Sequence, residues 1–123
     1  MAKDPYKTFV STEGFEILVG NTAADNDYLT FKIAKQNDFW LHVAPTPGSH
    51  VIVRNPDNLS KLPKTTLEEA AALAAWYSKS RNGGRVAVNV TLRKNVSKRR
   101  GAPVGQVQIK QYKTVKVAPR AEI

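Results

Sequence analysis

The most chemically versatile side chains of the sequence lie close together, and the first group is Asp38-Phe-Trp-Leu-His42. Alternate side chains of an extended strand share a face, so Asp38, Trp40 and His42 are predicted to lie on one surface. Trp40 offers a plane for stacking, and His42 offers hydrogen-bond donors and acceptors. An acid, an indole and an imidazole on one face indicate a recognition surface.

The second group, Pro47-Gly-Ser-His50, follows after a short connection that contains proline. Gly48 and Ser49 form a turn whose backbone amides suit a phosphate, and His50 adds a second imidazole. The same pattern is also compatible with a structural role, in which Trp40 is a core residue and the turn merely reverses the chain. Both interpretations stay open at this point.

Two catalytic or metal-binding interpretations of these residues are weak. A hydrolase would use Ser49, His50 and Asp38, but neighbouring side chains on an extended chain point apart, and no G-x-S-x-G pattern surrounds the serine. A metal site would use His42, His50 and Asp38, a set too small and unspecific to indicate a metal. We therefore predict no catalytic residue, no metal site and no cofactor.

Basic residues are concentrated in the C-terminal part of the chain. Residues 79–123 contain twelve Lys and Arg but a single acidic residue, whereas residues 1–78 contain seven basic and nine acidic residues. Such one-sided charge raises the local concentration of polyanions, which makes nucleic acid the leading class of partner and anionic lipid the second. The alternative is a solvated basic face that serves solubility.

The candidate phosphate-binding cations run from the end of a predicted helix into a loop that contains two glycines. Lys79 and Arg81 are predicted to lie in the last turn of that helix, and cations there also complement the helix dipole, which is an alternative explanation for these two residues. The predicted set is Lys79, Arg81, Arg85, Arg93, Lys94, Lys98, Arg99 and Arg100. We expect these cations to gather beside the Trp40 and His42 strand as one contiguous cradle.

Alternating apolar residues predict the sheet that positions these groups. Residues 7–10 and 15–19 are expected to form one hairpin, and residues 107–109 and 115–117 a closing hairpin around Gln111-Tyr112. Further predicted strands cover residues 28–33, 38–43, 50–54 and 86–90, the last of them continuing toward Val96.

One segment strongly predicts a helix. Thr66-Leu-Glu-Glu69 has the form of a capping box, alanines follow it, and Asn82-Gly83-Gly84 is expected to end the helix. The alanines let the helix approach the sheet closely, with Leu67 or Leu73 and Trp76 at the contact. The prediction is an α+β fold, a mostly antiparallel mixed sheet with one main alanine-rich helix packed on it.

Length and composition limit the class of protein. The 123 residues are expected to form a single domain, residues 1–123, and 41% of them are hydrophobic, enough for a core. The absence of cysteine excludes disulfide scaffolds and thiolate metal sites and favours a reducing, cytoplasmic location. No signal peptide or stretch of about 20 apolar residues is present, so no membrane association is predicted.

The order of these motifs resembles the NFACT-R domain, the C-terminal domain of fibronectin-binding-A-like proteins and of ribosome quality-control factors. The resemblance extends from about Gly14 to Pro119. Its most specific part is the Asp-x-Trp-x-His pattern at residues 38–42 followed by Pro-Gly-Ser-His-Val at residues 47–51. The alanine-rich helix and the late Lys98 and Gly101 positions follow in the family's order.

The resemblance implies an RNA-binding module for structured RNA, such as tRNA or rRNA, with the ribosome as a further candidate partner. The inferred surface is the segment from Asp38 to His50 together with the basic C-terminal part. Multidomain members carry further domains, so the chain resembles a stand-alone form. The family's Gly-Arg-Asn turn appears here as Gly20-Asn21-Thr22, without its arginine.

Two other functions remain as alternatives. The first is an RNA-processing or RNA-modifying enzyme that uses Asp38, His42 and His50 for acid–base chemistry, since histidine changes protonation near neutral pH. The second is a ribosome-docking adaptor whose basic face serves as an address.

Overall fold

Eight strands are present in the computed structural model, which describes residues 4–123. They are β1 (Tyr6–Val10), β2 (Glu16–Gly20), β3 (Phe39–Ala44), β4 (Val51–Val53), β5 (Val86–Leu92), β6 (Val96–Ser97), β7 (Gln108–Ile109) and β8 (Lys113–Val117). Six of them form one sheet in the order β1-β2-β4-β3-β5-β8, and each neighbouring pair is antiparallel. The other two, β6 and β7, pair with each other.

The predicted α+β class and the predicted period of the central strand are confirmed. The β1–β2 hairpin forms as expected, and β3 lies between β4 and β5. Phe39 and Leu41 pack into the core on one face of the sheet, whereas Trp40 packs into a separate core on the other face. The strand therefore divides its side chains between two cores.

Helix α2 (Lys64–Trp76) covers the first face of the sheet. Its alanines are buried, and Leu73 is fully buried against the strands, a burial that contributes about 1.5–3 kcal/mol. Leu67 packs at the edge of this core, as predicted. The expectation for Trp76 is wrong, because its ring is only half-buried and carries the Arg81 guanidinium 4.3 Å from its centroid.

The ends of α2 differ from the prediction. The helix begins at Lys64 after Pro63, so Thr66 lies inside the first turn instead of capping it. The carboxylate of Glu13 accepts the Thr66 amide and hydroxyl at 2.7 Å, and Glu69 accepts the amide and hydroxyl of Thr12. These tertiary bonds to the β1–β2 turn replace the local capping box. The helix ends at Trp76, before the predicted Asn82-Gly83-Gly84 stop.

The second face of the sheet is covered by small elements. Helix α1 (Ala23–Tyr28) continues into a π-helical turn (Leu29–Ile33), where a strand was predicted. Leu29 packs there with Trp40. Val96 and Ile109 of the β6–β7 pair complete this second core.

The predicted closing hairpin is also wrong. Strand β7 pairs with β6, whereas β8 pairs with β5 in the main sheet. A 3₁₀ turn at Arg93–Asn95 separates β5 from β6, so the chain leaves the main sheet there instead of continuing through Val96. Gln111, whose φ is 53°, lies in the short segment of chain that connects β7 to β8.

Within residues 4–123, no helix is long and apolar enough to span a bilayer. The predicted absence of a signal peptide rests partly on Met1 to Lys3, which lie outside the described residues.

Candidate nucleic-acid interface

His50 lies at the centre of a buried hydrogen-bond chain. Its Nδ1 atom is 2.8 Å from the Thr30 hydroxyl, and its Nε2 atom is 3.2 Å from the Gly105 carbonyl oxygen. A carbonyl only accepts, so Nε2–H donates to Gly105, and Nδ1 accepts from Thr30. The Thr30 hydroxyl in turn accepts the Trp40 indole N–H at 3.3 Å. Burial lowers the pKa of His50 to about 4, so the imidazole is neutral at pH 7 and its Nδ1 atom is free to accept from Thr30.

His42 lies next to this chain. Its ring stacks on Trp40 with centroids 5.8 Å apart and meets His50 edge-on at 5.5 Å. Burial also lowers the pKa of His42. The predicted sharing of one face by Trp40 and His42 is thus observed, but Trp40 is only 2% exposed and has no free plane for an incoming base.

Asp38 lies at the start of the strand, away from the histidines. Four residues of extended chain, about 13 Å, separate it from His42. Its carboxylate accepts the backbone amides of Lys35 and Asn55, both at 2.9 Å, and an Nη1–H of Arg54 at 3.1 Å. This arrangement gives no acid–base triad of Asp38, His42 and His50. Among residues 4–123, no group of three or more His, Cys, Asp or Glu side chains is placed to hold a metal ion.

The Gly48-Ser49 turn is hydrogen-bonded to the segment that follows the end of α2. The Ser49 amide donates to the Tyr77 carbonyl at 2.9 Å, and the Lys79 amide donates to the Pro47 carbonyl at 3.0 Å. Gly48 lies so close to Ser78 that a Cβ atom at Gly48 would be 2.7 Å from the Ser78 Cβ. The turn therefore fixes where the chain goes after the helix.

This junction borders a groove of about 460 Å³, which we call the helix-end groove. Asn21 and Thr22 line it on one side, and the turn lines it on the other. Its cations, Lys7, Lys79 and Arg81, are exposed. Lys7 Nζ donates to Asn21 Oδ1 at 2.5 Å and lies 4.7 Å from the Tyr77 ring centroid, so the lysine is held at the groove wall.

Alanine at position 48 is expected to lower the free energy of unfolding by about 1–3 kcal/mol, because the new methyl group overpacks the junction with Ser78. Urea unfolding of Gly48→Ala measures this loss. Adding Ser78→Gly removes the opposing Cβ, so the double variant should lose less than the two single variants together. Strict additivity would contradict a steric cause.

The loop between β6 and β7 is fastened to α1 by Lys98. Lys98 Nζ lies 3.0 Å from Asp27 Oδ2 and donates to the carbonyls of Pro103 and Gln106 at 2.7 and 3.0 Å. The Gly105 amide donates to the same Asp27 oxygen at 3.1 Å. We call residues 98–105 the arginine loop, because its exposed cations are Arg99 and Arg100.

The helix-end groove and the arginine loop meet at α1. Ala23 lines the groove, and a Cβ atom at Gly105 of the loop would lie 3.1 Å from the Ala23 Cβ. Ion pairs within residues 4–123 involve Arg54 and Lys98 as cations, and they leave the five exposed cations of this surface, Lys7, Lys79, Arg81, Arg99 and Arg100, without a carboxylate. Their charge is therefore available to a polyanion.

The expected single cradle does not form, because the other predicted cations are bound internally or lie elsewhere. Arg93 donates to the carbonyls of Thr30 and Val96, and burial lowers its pKa. Arg85 is exposed but lies beside β8, where it donates to the Lys116 carbonyl at 2.9 Å, as Arg81 in the groove donates to the Trp76 carbonyl at 2.8 Å. Lys94 lines a different cavity near the start of α2, a helix about 20 Å long.

The sequence analysis missed three groove residues, Lys7, Asn21 and Thr22. The β1–β2 hairpin was predicted, and its register places Lys7 opposite Val19, next to the Gly20-Asn21 turn. The predicted pairing of these two strands could therefore have indicated that Lys7 lies close to Asn21.

Comparison with known proteins identifies the domain. The family model described as the NFACT protein RNA binding domain matches residues 6–111. The chain belongs to this family. The resemblance inferred from the motif order is thereby confirmed.

Two relatives and one solved structure illustrate the similarity. The NFACT domain is 40% identical over 116 residues to the Rqc2 homolog RqcH of Bacillus subtilis, covering 94% of this chain and 20% of that protein. It is 30% identical over 81 residues to ribosome quality control complex subunit 2 of Saccharomyces cerevisiae, covering 62% of this chain and 8% of that protein. The chain thus spans about a fifth or less of these relatives.

The solved structure is the C-terminal part of the fibronectin/fibrinogen-binding protein from Streptococcus suis. It superposes with a TM-score of 0.88 at 36% identity, covering 98% of this chain and 47% of that one. The fold described above is therefore the fold of the family.

Proposed function

We propose that this NFACT domain binds structured RNA across α1, with the helix-end groove on one side and the arginine loop on the other. The observation that carries the proposal is the set of five exposed cations without carboxylate partners on this surface, Lys7, Lys79, Arg81, Arg99 and Arg100. Arginine forks suit phosphate oxygens, and lysine adds a mobile point charge. Gly48 and Ser49 line the same groove.

Two buried members of the predicted site, Trp40 and His50, act by positioning this surface, whereas the buried Asp38 stabilises the other end of β3. Asp38 is 3%, Trp40 2% and His50 1% exposed. The His50 backbone amide donates to Asn26 Oδ1, and the His50 ring donates to the Gly105 carbonyl, so His50 ties the groove wall to the arginine loop. Trp40 and His50 thus set the shape of the surface, and the exposed cations make the phosphate contacts.

The relatives named for ribosome quality control support a ribosomal setting. We propose tRNA or rRNA as the ligand and the cytoplasm as the location. A ribosome-docking role uses the same basic face, since ribosomal RNA presents phosphates over most of its surface. The acid–base alternative has no comparable support, because Asp38 is turned away from both histidines.

The double variant Lys79→Ala/Arg81→Ala is expected to weaken RNA binding at least about tenfold and to reduce the slope of log K against log salt by about two, since two phosphate contacts are lost. Fluorescence anisotropy with labelled tRNA and an rRNA hairpin, repeated over a salt series, measures both quantities. Arg99→Ala/Arg100→Ala should behave similarly.

The matched control is Lys94→Ala/Lys113→Ala, which removes the same charge near the start of α2. It should leave both affinity and salt slope nearly unchanged. Equal losses in all three double variants would mean that net charge alone, and no particular surface, holds the RNA.

A further inference from the structure

An apolar cleft of about 610 Å³ lies near the start of α2, remote from the helix-end groove. Its walls come from the helix, from the segment before it and from strands β5 and β8. The apolar lining includes Leu62, Leu67, Leu92 and Val115, with Phe39 at the base. This volume falls within the range of about 300–1,000 Å³ common for binding clefts.

Four lysines surround this cleft: Lys61, Lys64, Lys94 and Lys113. All four are exposed, and the cleft is lined by no aspartate or glutamate. None of the three ion pairs within residues 4–123 includes one of them. An apolar base inside an uncompensated lysine rim is complementary to a ligand that carries both aliphatic groups and carboxylates.

We propose that this lysine-rimmed cleft docks an acidic peptide segment in which Asp or Glu residues flank a short aliphatic stretch. The aliphatic side chains of such a segment enter the cleft, and the carboxylates before and after them in the sequence reach the lysine rim. The adjacent β8 supports this mode. It is the edge strand of the main sheet and has β5 as its neighbour within the described chain, so a peptide can add beside it through backbone hydrogen bonds.

Charge and chemistry favour this occupant over two others. A second copy of the chain would bring a net charge of +9 toward the lysine rim, which is repulsive. RNA bases stack on flat aromatic or guanidinium planes, whereas this cleft is mainly aliphatic and its single aromatic lining residue, Phe39, is 5% exposed.

The first experiment selects the ligand class. A random peptide library displayed on phage is panned against the wild-type protein and against Lys61→Glu/Lys94→Glu/Lys113→Glu. We expect the wild type to enrich peptides in which acidic residues flank a short aliphatic stretch, and the variant to lose them. Failure to enrich any peptide on the wild type over the variant would overturn the proposal, as would enrichment of peptides without acids.

The second experiment measures the enriched peptide by fluorescence anisotropy. Its affinity should fall at least about tenfold in the lysine variant, because like charges then face each other. The helix-end variant Lys79→Ala/Arg81→Ala serves as the control and should bind the peptide as the wild type does. The lysines are exposed and their side chains make no hydrogen bond within residues 4–123, so unchanged thermal unfolding is expected.

RNA titrations of the same variants separate this proposal from the RNA-binding one. Loss of peptide affinity with RNA affinity retained supports the cleft as a peptide site whether or not the groove binds RNA. If the lysine variant instead loses RNA affinity as strongly as the helix-end variant and binds no peptide, RNA is the occupant and the proposal is wrong.

Discussion

Replacing Asp38 with alanine is expected to lower the free energy of unfolding by about 3–5 kcal/mol, because it leaves the Lys35 and Asn55 amides without an acceptor and leaves Arg54 with only Glu16, 3.9 Å away, as a carboxylate partner. The carboxylate is 3% exposed and accepts from Lys35, Arg54 and Asn55. The loss should appear in urea unfolding followed by circular dichroism.

Two comparisons test the cause. Asp38→Asn keeps one carbonyl acceptor and should lose less stability than alanine. Asp57 is an exposed acid that lines the same cavity as Asp38, and Asp57→Ala should change the free energy of unfolding little. If Asp38→Ala were as stable as the wild type but bound RNA more weakly, we would infer instead that Asp38 contacts the RNA directly.

Acidification from pH 7 to pH 4 is expected to remove about 3 kcal/mol of stability through His50 alone. Its pKa in the folded protein is about 4, whereas the unfolded value is 6.5. The unfolded chain therefore binds the proton first, and stability falls as pH decreases through this window. Desolvation is the main cause, and the neighbouring His42 and Lys98 add to it, while Asp27 and the Gly105 carbonyl oppose it.

The measurement is the free energy of unfolding at a series of pH values for the wild type and for His50→Gln. Glutamine does not titrate, so the variant should show a flatter profile between pH 4 and 6.5, whatever its stability at pH 7. His42 contributes in the same direction and remains in both proteins. Parallel profiles would contradict the assignment of a neutral, buried imidazole to His50.

Much of the main sheet was predictable, because its strands alternate strictly or are short apolar runs between turn residues. The segment 28–33 alternates too, yet forms a π-helical turn. Six alternating residues do not distinguish a strand from a helical segment, and here tertiary contacts decide the outcome. Thr30 and Leu29 are fully buried against the second face of the sheet, where a polar hydroxyl is required by both Trp40 and His50.

The candidate site was predicted only in part, for a similar reason. Periodicity placed Trp40 and His42 on one face, but it does not say whether that face is open or covered. The β6–β7 pair and the π-helical turn Leu29–Ile33 cover it, and the sequence between residues 96 and 109 is too short and polar to predict such a cover. Whether a cation is free or bound also depends on distant partners, such as Asp27 for Lys98 and the Thr30 carbonyl for Arg93.

The internal role of Lys98 has a thermodynamic consequence. A loop that orders only on contact with its ligand loses backbone and side-chain freedom at that moment, and this loss subtracts from affinity. The Asp27 pairing and the two carbonyl bonds set the path of residues 98–105 before any ligand arrives. One positive charge is thus withdrawn from the surface, while the two neighbouring guanidinium groups are presented from a preorganised support.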